Sequence, residues 1–178
     1  MPVFDAMNTT FGTAGTGGFG IKNSSLGGYS VTIQWIVTVF MILFGVNFNA
    51  YYLMLFGSIK KALTMEEVRA YFGIILTSIV IISINIYSMC SGVWDAITKS
   101  AFQVGSIITT TGFSTIDFNL WPQTSKTILV LLMFVGACAG STGGGIKVSR
   151  FVILIKTMVK ELNSYIHPRS VSCLLYTS

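Results

Sequence analysis

Two short stretches rich in threonine and glycine carry the residue types best suited to chemistry in this chain. Residues 15–20 read GTGGFG and residues 109–115 read TTTGFST. A cation that leaves water needs oxygen ligands, and the backbone carbonyls of an extended chain can replace its hydration shell. Glycine permits the positive φ angles that such a chain often requires, and threonine adds a hydroxyl oxygen. Because neither stretch contains an acidic residue, we expect carbonyl oxygens and not carboxylates to provide the selectivity.

The glycine spacing also invites a nucleotide-binding interpretation, which fails on context. Residues 15–20 match G-x-G-x-x-G, but no hydrophobic strand precedes them and no acidic residue lies about 20 residues further on, as a dinucleotide site requires. Residues 140–147, GSTGGGIK, nearly spell a P-loop. However, Ile146 separates the last glycine from Lys147, and Val148 stands where a magnesium-binding hydroxyl is needed.

The composition excludes an ordinary soluble domain. Only 10% of the 178 residues are charged, against about 25% in soluble domains, while 52% are hydrophobic. Three long uncharged runs can each hold the roughly 20 residues that cross a bilayer as a helix, and they predict spans at about 30–55, 70–91 and 125–139. Polar residues within these runs, such as Asn47 and Asn85, are expected to face other helices or a wet cavity.

The net charge of +5 reflects membrane topology and not a nucleic-acid partner. Eight of the eleven basic residues lie either between the first two predicted spans or after the third, which identifies that side as the cytoplasm. Both Thr/Gly stretches then lie toward the outside. The cysteines have no metal-binding spacing, and the single histidine, His167, stands in a predicted turn.

The chain repeats itself weakly around the two Thr/Gly stretches. One unit opens with FDAMNTTF and the other with WDAITKSAF, and each continues as a short helix, a Thr/Gly turn, a polar loop and a spanning helix. The separation of Asp5 from Phe19 is shorter than that of Asp95 from Phe113 by about one helical turn. The short helices cannot cross a bilayer, so we expect them to dip in and return. Asp5 and Asp95 would cap these helices or complement their dipoles, the alternative being direct attraction of ions.

The third predicted span runs into a glycine cluster, GSTGGG, at residues 140–145. Four glycines would weaken a continuous helix by about 1 kcal/mol each relative to alanine. Two interpretations remain: a flexible loop just past the membrane, or an irregular loop inside it that splits one spanning helix beneath the Thr/Gly turns. Lys147 would then either set the local potential or extend to the cytoplasm.

These motifs resemble the TrkH/TrkG/KtrB superfamily of bacterial potassium uptake proteins. TGGFG is similar to the second pore loop of that family and TTTGFST to the third, while CAGSTGGGIKVSR at residues 138–150 resembles the loop below the third filter in the TrkH branch. The resemblance implies potassium-binding filter carbonyls at Thr16, Gly17, Gly18, Phe19, Thr110, Thr111, Gly112 and Phe113. It implies a gating loop composed of Gly140, Ser141, Thr142, Gly143, Gly144, Gly145 and Lys147.

The resemblance implies an all-α integral membrane fold of helix–pore-loop–helix repeats, with re-entrant pore helices and one broken transmembrane helix. Residues 1–57 are expected to form the second repeat's pore helix, filter and following helix, and residues 58–69 a cytoplasmic loop. Residues 70–163 would form the third repeat with its gating loop, and residues 164–178 a truncated tail. The first and fourth filters of the family would be missing. The last residues, VSCLLYTS, depart from the family's pattern and are expected to be non-native.

The implied function is potassium uptake through a channel-like pore in the bacterial inner membrane, without enzymatic activity or a cofactor beyond the transported potassium. The alternative is a secondary cation transporter with discontinuous helices that works by alternating access. The resemblance also implies a homodimer in the lipid bilayer and a cytosolic nucleotide-sensing TrkA-type subunit. The basic segments 58–69 and 147–160 are the expected contacts for that subunit.

Overall fold

The protein is described here from a computed structural model covering residues 1–57 and 59–166, which is helical throughout those ranges apart from turns and loops. The α-helices are α1 Val3–Ala14, α2 Val31–Phe44, α3 Phe48–Phe56, α4 Ile59–Thr64, α5 Glu66–Ile86, α6 Val93–Ile108, α7 Gln123–Phe134 and α8 Val148–Ile166. Short 3₁₀ turns lie at Tyr87–Met89 and Phe118–Leu120. Within the described residues the β-structure amounts to one isolated bridge between Val135 and Ile146. The predicted all-helical class is confirmed.

Helix α6 is the central element, because its side chains are buried along most of its length against α2, α5 and α7. Its apolar residues Phe102, Val104 and Ile108 are fully enclosed. Polar side chains also join the helices at depth. The Ser83 and Ser100 hydroxyls lie 2.6 Å apart, and the Asn85 amide donates to the Ser125 hydroxyl at 3.0 Å. Asn85 therefore faces another helix, as its position in an apolar run predicted.

The two short helices preceding the Thr/Gly stretches differ in length as expected. Helix α1 has 12 residues and α6 has 16, a difference of one turn. The acidic residues of their first turns behave differently from simple caps. Asp5 makes no capping bond and instead accepts a hydrogen bond from the Tyr29 hydroxyl at 2.6 Å. Asp95 accepts from the Ser91 backbone N–H at 3.3 Å and forms an ion pair with Lys99 at 2.6 Å.

The first predicted span, 30–55, is divided into two helices. Helices α2 and α3 meet at an angle of 88°. Asn47 caps the new helix, since its side chain accepts from the Asn49 backbone N–H at 2.8 Å. The break exposes the carbonyls at the end of α2, and Gly45 accepts a hydrogen bond there from the Cys138 N–H at 3.0 Å. The bend is thus stabilised by partners that lie far away in the sequence.

The other span boundaries also shift. Within the described ranges one continuous helical stretch, Glu66–Met89, is long and apolar enough to cross a bilayer, and the bent α2–α3 pair would make a second. The segment 58–69 is not a plain loop, because it contains α4 and the first turn of α5. Helix α7 ends at Phe134, before the predicted limit of 139. The part of the predicted tail that follows Ile166 lies outside the described residues.

Candidate functional site

The two Thr/Gly turns, residues 15–20 and 109–115, share an unusual backbone conformation. Positive φ angles occur at Thr16 (51°) and Gly18 (66°) in the first turn, and at Thr110 (58°) and Gly112 (90°) in the second. Glycine adopts such angles readily, whereas a β-branched threonine is strained there. Strain repeated at equivalent positions must be maintained by the surrounding contacts, and it clusters at functional sites.

Equivalent hydrogen bonds hold both turns to the ends of their helices. In the first turn, the Gly15 N–H donates to the Phe11 carbonyl at 2.9 Å, the Thr16 N–H to the Thr13 carbonyl at 3.3 Å, and the Gly17 N–H to the Gly12 carbonyl at 2.8 Å. In the second turn, the Thr109 N–H donates to the Gly105 carbonyl at 3.2 Å, the Thr110 N–H to the Ile107 carbonyl at 3.0 Å, and the Thr111 N–H to the Ser106 carbonyl at 2.9 Å. The sequence repeat is therefore a structural repeat at the turns, and the extra turn of α6 lies at the start of that helix.

The two turns lie against each other. A Cβ atom added to Gly18 would be 1.9 Å from the carbonyl oxygen of Thr111, so the backbones are in direct contact. The equivalent Cβ on Gly112 would meet no described atom within 4 Å. Behind the second turn, the Ser106 hydroxyl donates to the Phe113 carbonyl at 2.5 Å and the Thr109 and Thr111 hydroxyls lie 2.7 Å apart. The second turn is thus braced by side chains of its own repeat.

The equivalent phenylalanines have opposite environments. The Phe113 ring is 1% exposed and packs in a cluster with Leu26, Met41 and Phe102. It also lies against helix α1, where a Cβ on Gly12 would come within 3.1 Å of the ring. The Phe19 ring is 83% exposed. The second turn is therefore packed against the preceding repeat, whereas the described residues leave the corresponding ring of the first turn uncovered.

The loop between α7 and α8, residues 135–147 and hereafter the connecting loop, hydrogen-bonds to both Thr/Gly turns through equivalent threonines. The Thr16 hydroxyl lies 2.8 Å from the Gly15 carbonyl oxygen and 3.0 Å from the Thr142 carbonyl oxygen, and its proton is shared between these two acceptors. The Thr110 hydroxyl accepts from the Gly144 backbone N–H at 2.6 Å. Of the two interpretations of the glycine cluster, this contact favours a loop beneath the turns over a flexible loop beyond the membrane.

The connecting loop is longer than the predicted break at 140–145, for a packing reason. A Cβ on Gly136 would lie 2.1 Å from the Gly144 carbonyl oxygen, so the two sides of the loop approach closely. Hydrogen bonds from Gly136 N–H to Ile146 O at 2.8 Å and from Val148 N–H to Ala137 O at 3.3 Å close its neck. Sequence reasoning missed Gly136, although an isolated glycine in an apolar run weakens a helix and points to a packing reason.

The side chain of Lys147 turns back onto the connecting loop. Its ammonium group donates to the Gly143 carbonyl within the connecting loop and is partly buried. Gly143 is itself tightly enclosed, since an added Cβ would lie 2.6 Å from the Ala137 Cβ and 3.0 Å from the Thr109 carbonyl oxygen. The Lys147 charge is thus held beside Gly143, a residue that contacts the second Thr/Gly turn.

Elements outside the predicted site anchor the other side of the connecting loop. The Phe48 N–H, at the start of α3, donates to the Gly140 carbonyl at 3.2 Å. The Ala139 N–H donates to Oε1 of Glu67, in the first turn of α5, at 2.6 Å. Sequence reasoning did not single out Glu67. Its signal would have been a carboxylate adjoining an apolar helix, which needs a partner wherever it is partly buried.

At the opposite end of the repeats, the loops that follow the two turns are also joined. The Leu26 N–H donates to the Ser114 carbonyl at 3.0 Å. The hydrogen bond to Asp5 raises the pKa of the Tyr29 hydroxyl. The hydrogen bond from Lys99 lowers the pKa of Asp95 at the start of α6, so this carboxylate is ionised.

Among the described residues no group of three or more His, Cys, Asp or Glu side chains could hold a metal ion.

Comparisons with known proteins cover nearly the whole chain. A family model described as "TrkH: Cation transport protein" matches residues 1–174. The Trk system potassium uptake protein TrkH of Salmonella typhimurium is 35% identical over 175 residues, and TrkG of Escherichia coli is 33% identical over 175 residues. Each match covers 96% of this chain and 36% of the relative, so the chain spans little more than a third of the curated relatives' length. The crystal structure of the potassium transporter TrkH from Vibrio parahaemolyticus is similar with a TM-score of 0.90 at 32% identity, over 98% of this chain and 39% of that one.

Proposed function

The chain belongs to the TrkH family of cation transport proteins, and on that premise we propose that it is part of a channel-like potassium uptake transporter of the bacterial inner membrane. The observation that carries the proposal is the pair of Thr/Gly turns, which share positive φ angles and helix-end hydrogen bonds and lie in backbone contact. Carbonyl oxygens arranged by such repeats around one axis are the ligands that a dehydrating potassium ion needs.

In this proposal the eight turn residues form two quarters of a selectivity filter. They are Thr16, Gly17, Gly18, Phe19, Thr110, Thr111, Gly112 and Phe113. The uncovered Phe19 ring and the open space beside Gly112 are the faces on which further repeats of a longer protein would pack. The ends of α1 and α6 point their negative dipole ends at the same region, which favours a cation and disfavours an anion.

The connecting loop is proposed to gate the pore. Its residues Gly140, Ser141, Thr142, Gly143, Gly144, Gly145 and Lys147 lie next to the turns and interrupt the α7–α8 helix. Two observations support this role. Both turns are hydrogen-bonded to the loop through Thr16 and Thr110, and the Lys147 ammonium places a positive charge there, which opposes the approach of a cation.

A secondary cation transporter is the second candidate, favoured by the two discontinuous helix pairs, α2–α3 and α7–α8. Broken helices bind substrates in carriers that alternate access. The two mechanisms differ in their coupling. Potassium flux that strictly requires a second ion would favour the carrier, whereas flux that follows the potassium gradient alone supports the channel-like pore.

The partners of the complete transporter follow from the same proposal. Exposed apolar side chains, such as Leu76 and Ile84 on α5 and Ile36 on α2, would face lipid. A homodimer and a cytosolic nucleotide-sensing TrkA-type subunit are proposed, with the basic segments 58–69 and 147–160 as contacts for that subunit. No catalytic activity and no cofactor are proposed for this chain.

The test is complementation of bacteria that lack their own potassium uptake systems, by the full-length protein that carries this segment. We expect growth at low potassium and uptake of ⁸⁶Rb⁺ that sodium inhibits only weakly. Absence of uptake by a protein that accumulates in the membrane would contradict the proposed function.

Replacing Gly112 by Ser tests the site within that function. The backbone at φ 90° strains any side chain, although the space beside it is open, so the variant should fold while its carbonyls shift. We expect uptake to continue with discrimination between potassium and sodium reduced by about tenfold, which corresponds to 1.4 kcal/mol. Unchanged discrimination would sink the assignment of Gly112 to the filter.

A further inference from the structure

Glu67 joins three segments that are distant in the sequence. Its Oε1 atom accepts the Ala139 N–H of the connecting loop at 2.6 Å, and its Oε2 atom accepts the Asn47 side-chain amide at 3.2 Å. Asn47 in turn caps α3 at the α2–α3 break, because its Oδ1 atom accepts the Asn49 N–H at 2.8 Å. One carboxylate therefore bonds both the loop and the cap of the bent helix.

We propose that Glu67 and Asn47 form a latch that fixes the position of the connecting loop beneath the Thr/Gly turns, and so act as positioning residues for the gate. The proposal rests on the proposed function for its consequence in transport, but its structural part stands on the hydrogen bonds alone. A carboxylate suits this place because both of its oxygens only accept hydrogen bonds, and each faces a donor. Bonds to an ionised acceptor are also stronger than neutral ones.

The geometry restricts Asn47 to one orientation. Its Oδ1 atom is committed to the Asn49 N–H, so its amide nitrogen must face Glu67. Gly140 of the connecting loop lies close to the same side chain, since an added Cβ would be 3.3 Å from Asn47 Oδ1. Loss of the carboxylate would release both the Asn47 amide and the Ala139 N–H, and leave each without its partner.

The adjacent Glu66 provides a natural control. It forms an ion pair with Lys156 on α8, away from the connecting loop, and both of these side chains are largely exposed. Glu66→Gln removes the same charge from the same helical turn without touching Ala139 or Asn47. An exposed pair of this kind contributes about 0–1 kcal/mol, so its loss is expected to leave the loop in place.

The test exchanges donors and acceptors between the two latch residues in the full-length protein. Glu67→Gln places two amide groups face to face, and Asn47→Asp places two carboxylates face to face. The double variant restores every bond, because the carboxylate introduced at position 47 can accept from both the Asn49 N–H and the new amide at position 67. The oxygen of that new amide still accepts from the Ala139 N–H. The readout is hydrogen–deuterium exchange of residues 135–147, with ⁸⁶Rb⁺ flux measured alongside.

We expect the Ala139 N–H to exchange up to about tenfold faster in Glu67→Gln, where a neutral oxygen replaces an ionised acceptor that is worth about 1.5–3 kcal/mol. The same direction is expected in Asn47→Asp, where repulsion between the two carboxylates displaces the Glu67 acceptor. Exchange should return toward the wild-type rate in the double variant and stay unchanged in Glu66→Gln. If a single variant fails to accumulate, recovery in the double variant supports the latch equally. Exchange that stays at the wild-type rate in both single variants, or a double variant that restores neither protection nor accumulation, overturns it.

The flux measurement separates this inference from the proposed function. A latch that holds a gate predicts basal ⁸⁶Rb⁺ flux raised severalfold in Glu67→Gln, with unchanged discrimination between potassium and sodium. If exchange is faster but flux is unchanged or reduced, the latch positions the loop without controlling the gate, and its role in gating is overturned. A wild-type protein without flux would refute the transporter while the exchange result still decided the latch.

Discussion

At the scale of single residues, the glycines of the two turns have different reasons for being glycine. Gly18 combines a positive φ of 66° with direct backbone contact to the second turn. Gly112 has the positive φ but open space beside it. Gly17 has neither, because its nearest contact is the Phe19 ring at 3.6 Å, an ordinary van der Waals distance. The glycines of the two turns therefore differ in how well each would tolerate a side chain.

Alanine at Gly18 and at Gly17 should therefore give opposite results. At Gly18 the new Cβ would collide with the Thr111 carbonyl oxygen at 1.9 Å, which forces the two turns apart. We expect Gly18→Ala to abolish selective uptake and lower the melting temperature of the purified protein, while Gly17→Ala keeps most of the uptake. Equal effects of the two substitutions would contradict the contact between the turns.

The turn glycines were predictable from the sequence because the motif occurs twice. The duplication of a Thr-x-Gly-Phe pattern related the two turns to each other, and the resemblance to the family's filters then singled out Gly18 and Gly112. Glu67 was not predictable in this way. Its partners, Ala139 and Asn47, lie 72 and 20 positions away, and no local pattern relates them.

At the scale of elements, the bend between α2 and α3 determines what the connecting loop can contact. The apolar run through residues 30–55 gave a correct prediction of helix but not of the 88° angle. A run of apolar residues indicates how long an apolar helical segment is. It does not indicate a bend, because the hydrogen bonds that stabilise the bend come from residues far away in the sequence. Gly45 and Asn47 are the local features that permit it, and both are compatible with a continuous helix when read in isolation.

Gly45→Ala and Gly73→Ala test the packing at this bend. A Cβ on Gly45 would lie 2.2 Å from the Tyr71 hydroxyl, which is buried and held by its bond to the Ile42 carbonyl at 3.1 Å. We expect a loss of about 1–3 kcal/mol from overpacking. Gly73, inside α5, has no neighbour within 4 Å of an added Cβ, so alanine there should stabilise the helix by about 0.5–1 kcal/mol.

Unfolding of the purified protein followed by temperature or denaturant gives both values on one scale. Opposite signs for the two variants are the expected outcome. A Gly45 variant as stable as the wild type would mean that α2 and α5 do not meet at this bend as described.

At the scale of the whole molecule, the repeats follow each other in a directional order. The second turn packs its Phe113 ring against helix α1 of the preceding repeat. The same relation applied to the first turn would place the Phe19 ring against a helix of another repeat. By analogy with Phe113, we therefore expect another repeat to cover the exposed Phe19 ring in the full-length protein.

Phe19→Ala in the full-length protein measures that contact. If another repeat covers the ring, we expect a loss of roughly 3–5 kcal/mol, as for other buried phenylalanines. Phe113→Ala is the comparator, because that ring is buried by residues described here. Melting temperatures of the two variants should fall by similar amounts. A Phe19 variant that melts with the wild type would leave the ring exposed and disprove the proposed order of repeats.

The unequal lengths of α1 and α6 have a geometric consequence for any object that approaches from outside. Both helices end on equivalent hydrogen bonds, and within the described residues α6 has four residues more than α1, or about 6 Å of helix. If the proposed pore keeps this difference, its rim would be higher on one side than on the other. A blocking molecule seated on it would have a single best orientation, where a ring of four identical subunits would offer four.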